Sequence, residues 1–93
     1  MARVRIPPVL RTEAAGARSV DVVAGDLRGA LTALFAQHPA LELRVLPDGD
    51  LPSFLNVFVD GEDIRLLQGL DTELAADATV LLLPAVAGGE PVG

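Results

Sequence analysis

The sequence predicts an α+β fold: a mixed sheet of four to five strands against one main helix, in the order β-β-α-β-β-β. Three observations predict it. Apolar residues alternate with period two near the N-terminus and again around residues 55–59. One stretch, "GDLRGALTALFAQHP", carries apolar residues at helical spacing. The chain has 93 residues, which suits a single domain with one modest core. One helix laid on one sheet buries an apolar stripe and an apolar face together.

Each element has its own signal. Val4 and Ile6 alternate with Arg3 and Arg5, and Pro7-Pro8 should stop this first strand, because proline donates no ladder hydrogen bond. A turn around Gly16 leads to a second strand, where Val20 and Val22 alternate with Ser19 and Asp21. The two strands read as a hairpin. Asp26 is a good N-cap for the helix, since its carboxylate can accept a free first-turn N–H. Leu27, Ala30, Leu31, Leu34 and Phe35 form one helical face, and Pro39 marks the stop. Gly29 costs about 1 kcal/mol in a helix relative to alanine, so it points to close packing.

Residues 47–53, "PDGDLPS", read as a loop. "FLNVFVDGEDIRLL" then reads as a second hairpin turning at Asp60-Gly61, with Leu55, Val57 and Val59 on one face and Asn56 and Phe58 on the other. "LDTELAADA" is a turn-rich connection. "TVLLLP" is the last strand. Its unbroken apolar run suits burial on both faces or cover for an interface.

Composition narrows the function. The net charge is −6, which argues against a nucleic-acid binder, whose affinity comes largely from neutralising phosphates. It suits solubility and a partner with a basic groove. There is no cysteine, so disulfides, thiolate nucleophiles and Cys metal sites are excluded, in keeping with a cytoplasmic protein. The N-terminus has no apolar signal region. The longest apolar run, residues 80–87, holds a proline and is too short for a bilayer. The core must be built from branched aliphatics, because the only aromatics are Phe35, Phe54 and Phe58.

No internal catalytic site emerges. His38 is the one histidine, and its place at the helix end reads as structural. One histidine without cysteine makes no zinc site. Ser19 and Ser53 have no candidate base nearby. "DGED", residues 60–63, lacks the alternating ligands of a calcium loop and reads as a solvated turn. Gly88-Gly89 has no following Lys-Ser/Thr or helix and is no phosphate loop. No metal or cofactor is expected on the chain.

The unusual chemistry lies at the end, "AVAGGEPVG". A glycine carboxylate on a flexible tail can thread a narrow active site, because it has no Cβ. Adenylation by ATP on a partner enzyme would activate it toward a sulfur or amine nucleophile. The chain fits a small non-catalytic protein of that kind, with a folded body over residues 1–87 and a diglycine tail over 88–93.

The second half of the chain resembles the MoaD/ThiS-type sulfur carriers. These carry a pattern like V-N-x-x-D-x-R, a G-L-x-T-x-L turn, and a strand into P-x-V-A-G-G. The matching positions are Asn56, Asp63 and Arg65, then Gly69 through Leu74, then Pro84 through Gly89. "IPPVLR" and the capped helix are similar more weakly. The full "PAVAGG" is shared with the CysO-type carriers of cysteine biosynthesis. The resemblance implies a ubiquitin-like β-grasp fold and no enzyme activity. It implies that Gly89 carries the acyl group and Gly88 gives it reach. An E1-like enzyme adenylates Gly89 with ATP, sulfur is installed as a thiocarboxylate, and a biosynthetic enzyme takes it.

The sequence departs from that pattern where the chemistry occurs. Glu90-Pro91-Val92-Gly93 follows the diglycine, so Gly89 has no free carboxyl as translated. Either a peptidase, such as a JAMM-type metallopeptidase, cuts between Gly89 and Glu90, or the carrier function is lost. Three functions stay open: a sulfur carrier, a ubiquitin-like modifier of target lysines, and an adaptor without tail chemistry.

In ubiquitin-like folds the sheet face away from the helix meets the activating enzyme. Phe58, Leu81 and Leu83 are candidates for that contact, with Pro84 and Val86 at the exit and Arg11 and Arg65 at family positions. The bland alternatives are a loop over Phe58, drawn from residues 47–53, and solvated arginines. All seven cations are arginine and none is lysine. The chain therefore cannot be extended through its own lysines, and an activated tail meets no lysine of its own.

Overall fold

The computed structural model describes residues 1–84. The expectations for Val86, Gly88, Gly89 and Glu90, and the boundary at residue 87, lie outside the described residues.

Five strands form one sheet. In chain order they are β1 (Ala2–Arg5), β2 (Ser19–Val22), β3 (Leu55–Val59), β4 (Glu62–Asp63) and β5 (Thr79–Pro84). Their spatial order is β2-β1-β5-β3-β4. The first hairpin forms as its alternation predicts, with Val4 opposite Val20 in an antiparallel pair. β5 enters between the two hairpins, parallel to β1 and antiparallel to β3. The sheet is therefore mixed.

The main helix, α1, spans Leu27–Gln37. Asp26 caps it: its Oδ1 accepts from the Gly29 N–H at 2.7 Å. A Cβ on Gly29 would sit 3.0 Å from that same oxygen and 3.4 Å from the Ala24 Cβ, so the glycine keeps room for the cap. Leu27, Ala30, Leu31 and Leu34 are buried against the sheet. Each leucine removed from water this way contributes about 1.5–3 kcal/mol. His38 ends the helix, its N–H donating to the Leu34 carbonyl.

Three regions differ from the sequence expectation. Beyond Pro39 the chain makes a 3-10 turn, Pro39–Leu41, and a short helix α2, Glu42–Val45, which send Leu41 and Val45 into the core. Four residues are too few to show a helical period. The second hairpin turns at Asp60 (φ 51°) and Gly61 (φ 88°), as a type I′ turn requires. Its return arm is only Glu62–Asp63, because Asp63 caps a 3-10 turn over Ile64–Leu66 that buries Ile64. Finally, β5 is not buried on both faces. Val80 and Leu82 are fully buried, whereas Leu81 is half-buried and Leu83 is exposed.

The connection before β5 is held by its own polar groups. Thr72 is buried and donates its hydroxyl to the Gly69 carbonyl at 2.7 Å, while accepting from the Gln68 N–H at 3.1 Å. Gly69 takes φ 58° in this turn, a region that favours glycine. Leu70 and Leu74 on either side of Thr72 enter the core. Among the described residues no helix is long and apolar enough to cross a membrane.

Candidate functional site

Strand alternation sorts every residue of the sheet to one of two faces. Val4, Val20, Val57, Val59, Val80 and Leu82 face α1 and are buried. Among the described residues no helix lies on the opposite face. Its register places Phe58 directly opposite Leu81 on one side, and Arg5 level with Leu81 on the other. Asn56 pairs with Leu83, and Asp63 pairs with Phe58. The result is an apolar ridge, Phe58-Leu81-Leu83, between arginines. Leu83 is 41% exposed, which is high for a leucine inside a sheet.

Phe58 is half-buried in this ridge. Leu51 packs against the core, and Leu51, Pro52 and Ser53 line a hollow with Val57, Asp63 and Arg65.

Arg65 is held in place rather than loosely solvated. Its Nη2 donates to Asp63 Oδ2 at 2.7 Å and to Asn56 Oδ1 at 2.7 Å, and its Nε donates to Asp63 Oδ1 at 3.1 Å. The Asp63 carboxylate also accepts the Arg65 backbone N–H at 2.9 Å. These hydrogen bonds hold the Asp63 carboxyl below the ordinary carboxylate range and raise Arg65 further. Asn56, Asp63 and Arg65, spaced nine residues end to end, thus form one polar cluster beside Leu83.

Two predicted site residues stand apart from the ridge. Arg11 is half-buried and its Nε donates to the Ile6 carbonyl at 3.1 Å, tying down the chain just past β1. Pro84 pairs with Leu55 on the helix side, so it marks the exit of β5 rather than the ridge. Conversely, Arg5 belongs to the ridge's border and sequence reasoning did not single it out. Its alternation with Val4 was legible, but its neighbour Leu81 is set by a parallel pairing across 76 residues. Arg3 on the same strand pairs with Asp21 at 3.1 Å.

The site contains cations, amides and apolar surface, but no assembled nucleophile and base. Among the described residues no group of three or more His, Cys, Asp or Glu is placed to hold a metal ion. Such a surface can bind another protein.

Comparison with known proteins gives the arrangement a context. The ThiS family model matches residues 6–89. The chain is 36% identical to the sulfur carrier protein CysO of Mycobacterium tuberculosis over 89 residues, covering 92% of this chain and 96% of that one. It is 43% identical to small archaeal modifier protein 1 of Haloferax volcanii over 81 residues, covering 83% and 88%. The fold superposes with a TM-score of 0.90 on a chain of the Amycolatopsis orientalis BexX/CysO complex, at 34% identity, covering 96% of this chain and 100% of that one. These matches span nearly the whole sequence, and the chain belongs to the ThiS family.

Proposed function

We propose that the protein is a sulfur carrier of the CysO/ThiS type, a carrier and not a catalyst. Residues 90–93 are removed, exposing the Gly89 carboxylate. An E1-like enzyme docks on the Phe58-Leu81-Leu83 ridge and adenylates Gly89 with ATP. A sulfur donor displaces AMP to leave a thiocarboxylate, and a biosynthetic enzyme of cysteine or another sulfur-containing metabolite receives the sulfur. Arg65 and Arg5 border the docking face, and Gly88 lets the tail pass a narrow channel.

One observation carries this reading: the family match ends at Gly89 and leaves residues 90–93 beyond it. A family whose shared pattern stops at the second glycine points to that glycine as the working end. Intact-mass measurement of the protein from its native host tests it. The expected species lacks residues 90–93 and has one oxygen replaced by sulfur. A population that keeps Gly93 and carries no sulfur in growing cells would overturn it.

A second reading is favoured by the likeness to small archaeal modifier protein 1. The same Gly89 acyl group would then pass to lysines of other proteins. Isopeptide adducts of Gly89 in the same mass experiment would establish that use.

A further inference from the structure

The chain carries a net charge of −6, yet its charge is not spread evenly over the sheet. Among the described residues, ion pairs join Arg3 to Asp21, Arg28 to Asp71, Arg44 to Glu13 and Arg65 to Asp63. Arg11 commits its Nε to the Ile6 carbonyl. Arg5 and Arg18 are both exposed and stand in no ion pair among the described residues.

Strand pairing brings these two arginines together. Arg5 is opposite Ser19, and the next residue, Ile6, donates its N–H to the Arg18 carbonyl at 2.9 Å. Arg5 alternates with buried Val4 and Ile6, which sets it on the outer face. One row crosses all the strands on that face: Ser19, Arg5, Leu81, Phe58 and Asp63. The apolar ridge is its middle. The β1–β2 flank carries the two arginines without a partner, whereas on the β3–β4 flank Arg65 and Asp63 offset each other. Asp50, whose carboxylate accepts the Leu51 N–H at 2.9 Å, adds negative charge on that second flank, where Leu51 and Arg65 line one hollow.

Three carboxylates without an ion pair among the described residues, Asp60, Glu62 and Asp77, lie at the other end of the strands. The Asp60 N–H donates to the Thr79 carbonyl at 2.9 Å, and Asp60 Oδ1 accepts the Thr79 N–H at 3.0 Å, so the tight turn with Glu62 sits at the start of β5. Asp77 lies two residues before Thr79 and lines a depression with Met1 and Arg3. β5 thus runs from an acidic end of the sheet to a level beside Arg5 and Arg18.

We propose that the outer face docks a protein surface whose apolar pocket is bordered by carboxylates on one side, the side that meets Arg5 and Arg18. An acidic chain is thereby recognised through its one basic flank. Turned end for end on the ridge, the same partner would set its carboxylates against Asp60, Glu62 and Asp77, and like charges brought together oppose docking. The charge pattern therefore fixes the orientation of the complex, and with it the direction in which β5 points into the partner. An extended polyanion fits less well, because it meets the acidic end as well as the basic flank. The inference rests on the proposed carrier function and takes the activating enzyme as the partner.

Two measurements test it. In the first, amide relaxation of the full chain is read by NMR with an anionic and then a cationic nitroxide in solution. The anionic probe should act more strongly at Arg5, Arg18 and Leu81, and the order should reverse at Asp60, Glu62 and Asp77. An even map, or the opposite one, would remove the charge pattern and the proposal with it. In the second, association of residues 1–89 with the host's E1-like enzyme is timed by stopped flow at low salt; this form keeps every described residue. Arg5→Glu and Arg18→Glu should each slow association about ten-fold, as reversal of a rim charge does. The gap should close toward 1 M salt, where charges are screened beyond about 3 Å. Arg28→Glu makes the same change in net charge on α1 and should stay within about two-fold of the wild type. Equal slowing by all three variants, no slowing by either sheet variant, or no association of the wild type would each sink the proposal. An enzyme that associates with the expected dependence but never adenylates Gly89 would uphold the docking chemistry and remove the sulfur-carrier reading.

Discussion

The two faces of the sheet come from the same strands and behave as different materials. On the helix side, Val4, Val57, Val80 and Leu82 are sealed under α1. On the other side, Phe58 and Leu81 are half-buried and Leu83 is exposed, between Arg5 and the Arg65 cluster. Hydrophobicity is similar along β5 on both sides, yet among the described residues only one side is packed under a helix. The difference teaches that one phase of the apolar run in β5 holds the fold together, while the other lies on the face proposed for docking. An apolar patch with a polar border is what a docking surface looks like before it is covered.

Adjacent residues of β5 break or sharpen this contrast most. Leu82 is fully buried and Leu83 is 41% exposed. Leu82→Ala is expected to cost about 2–5 kcal/mol in denaturant unfolding, as a core truncation does. Leu83→Ala should stay within about 0.5 kcal/mol. Leu83→Glu, in the chain ending at Gly89, should slow ATP–pyrophosphate exchange by the activating enzyme about ten-fold or more, as loss of a docking anchor does. Equal destabilisation by the two alanines would mean that the outer face is part of the core. Unchanged exchange by Leu83→Glu would remove that face from docking.

A middle-sized effect lies at the start of the helix that separates the faces. Asp26→Ala removes the 2.7 Å cap and should cost about 1 kcal/mol, read as a lower unfolding midpoint at unchanged slope. No change would mean that another group caps α1.

The smallest effect belongs to the Arg65 cluster. The Arg65 hydrogen bonds lower the folded Asp63 pKa below its unfolded value. The stability it contributes is therefore complete above the ordinary carboxylate range and is lost as pH falls through the lowered value. A carboxyl-carbon NMR titration should place the Asp63 midpoint below that of an unstructured aspartate, and Arg65→Ala, which keeps the backbone N–H bond to Asp63, should raise it part of the way back. A midpoint at the ordinary value would show that the cluster does not persist in solution.

Much of this was legible before any coordinates. Period-two alternation located β1, β2 and β3, and Asp60-Gly61 located the tight turn with positive φ at both positions. The helix followed from Asp26 and its apolar stripe. The split of Leu81 and Leu83 from Val80 and Leu82 was legible as phase, but not as exposure, because strand alternation does not say which face receives a helix. The short helix α2 and the brief return arm of the second hairpin were not legible, since each is only a few residues and is shaped by core packing of Val45 and Ile64. Asn56, Asp63 and Arg65 were recognisable as a pattern. That they touch depends on the turn between them bringing Arg65 back over β3.

By itself the sequence determined most of the local elements, the diglycine and the absence of lysine, because each is written in adjacent residues or in composition. The tertiary structure decided where these meet. Inserting β5 between two hairpins put Arg5 beside Leu81 and, among the described residues, left one sheet face without a helix over it. That insertion is a pairing of the chain's two ends, and its energy comes from long-range burial under α1 that no local window of sequence contains.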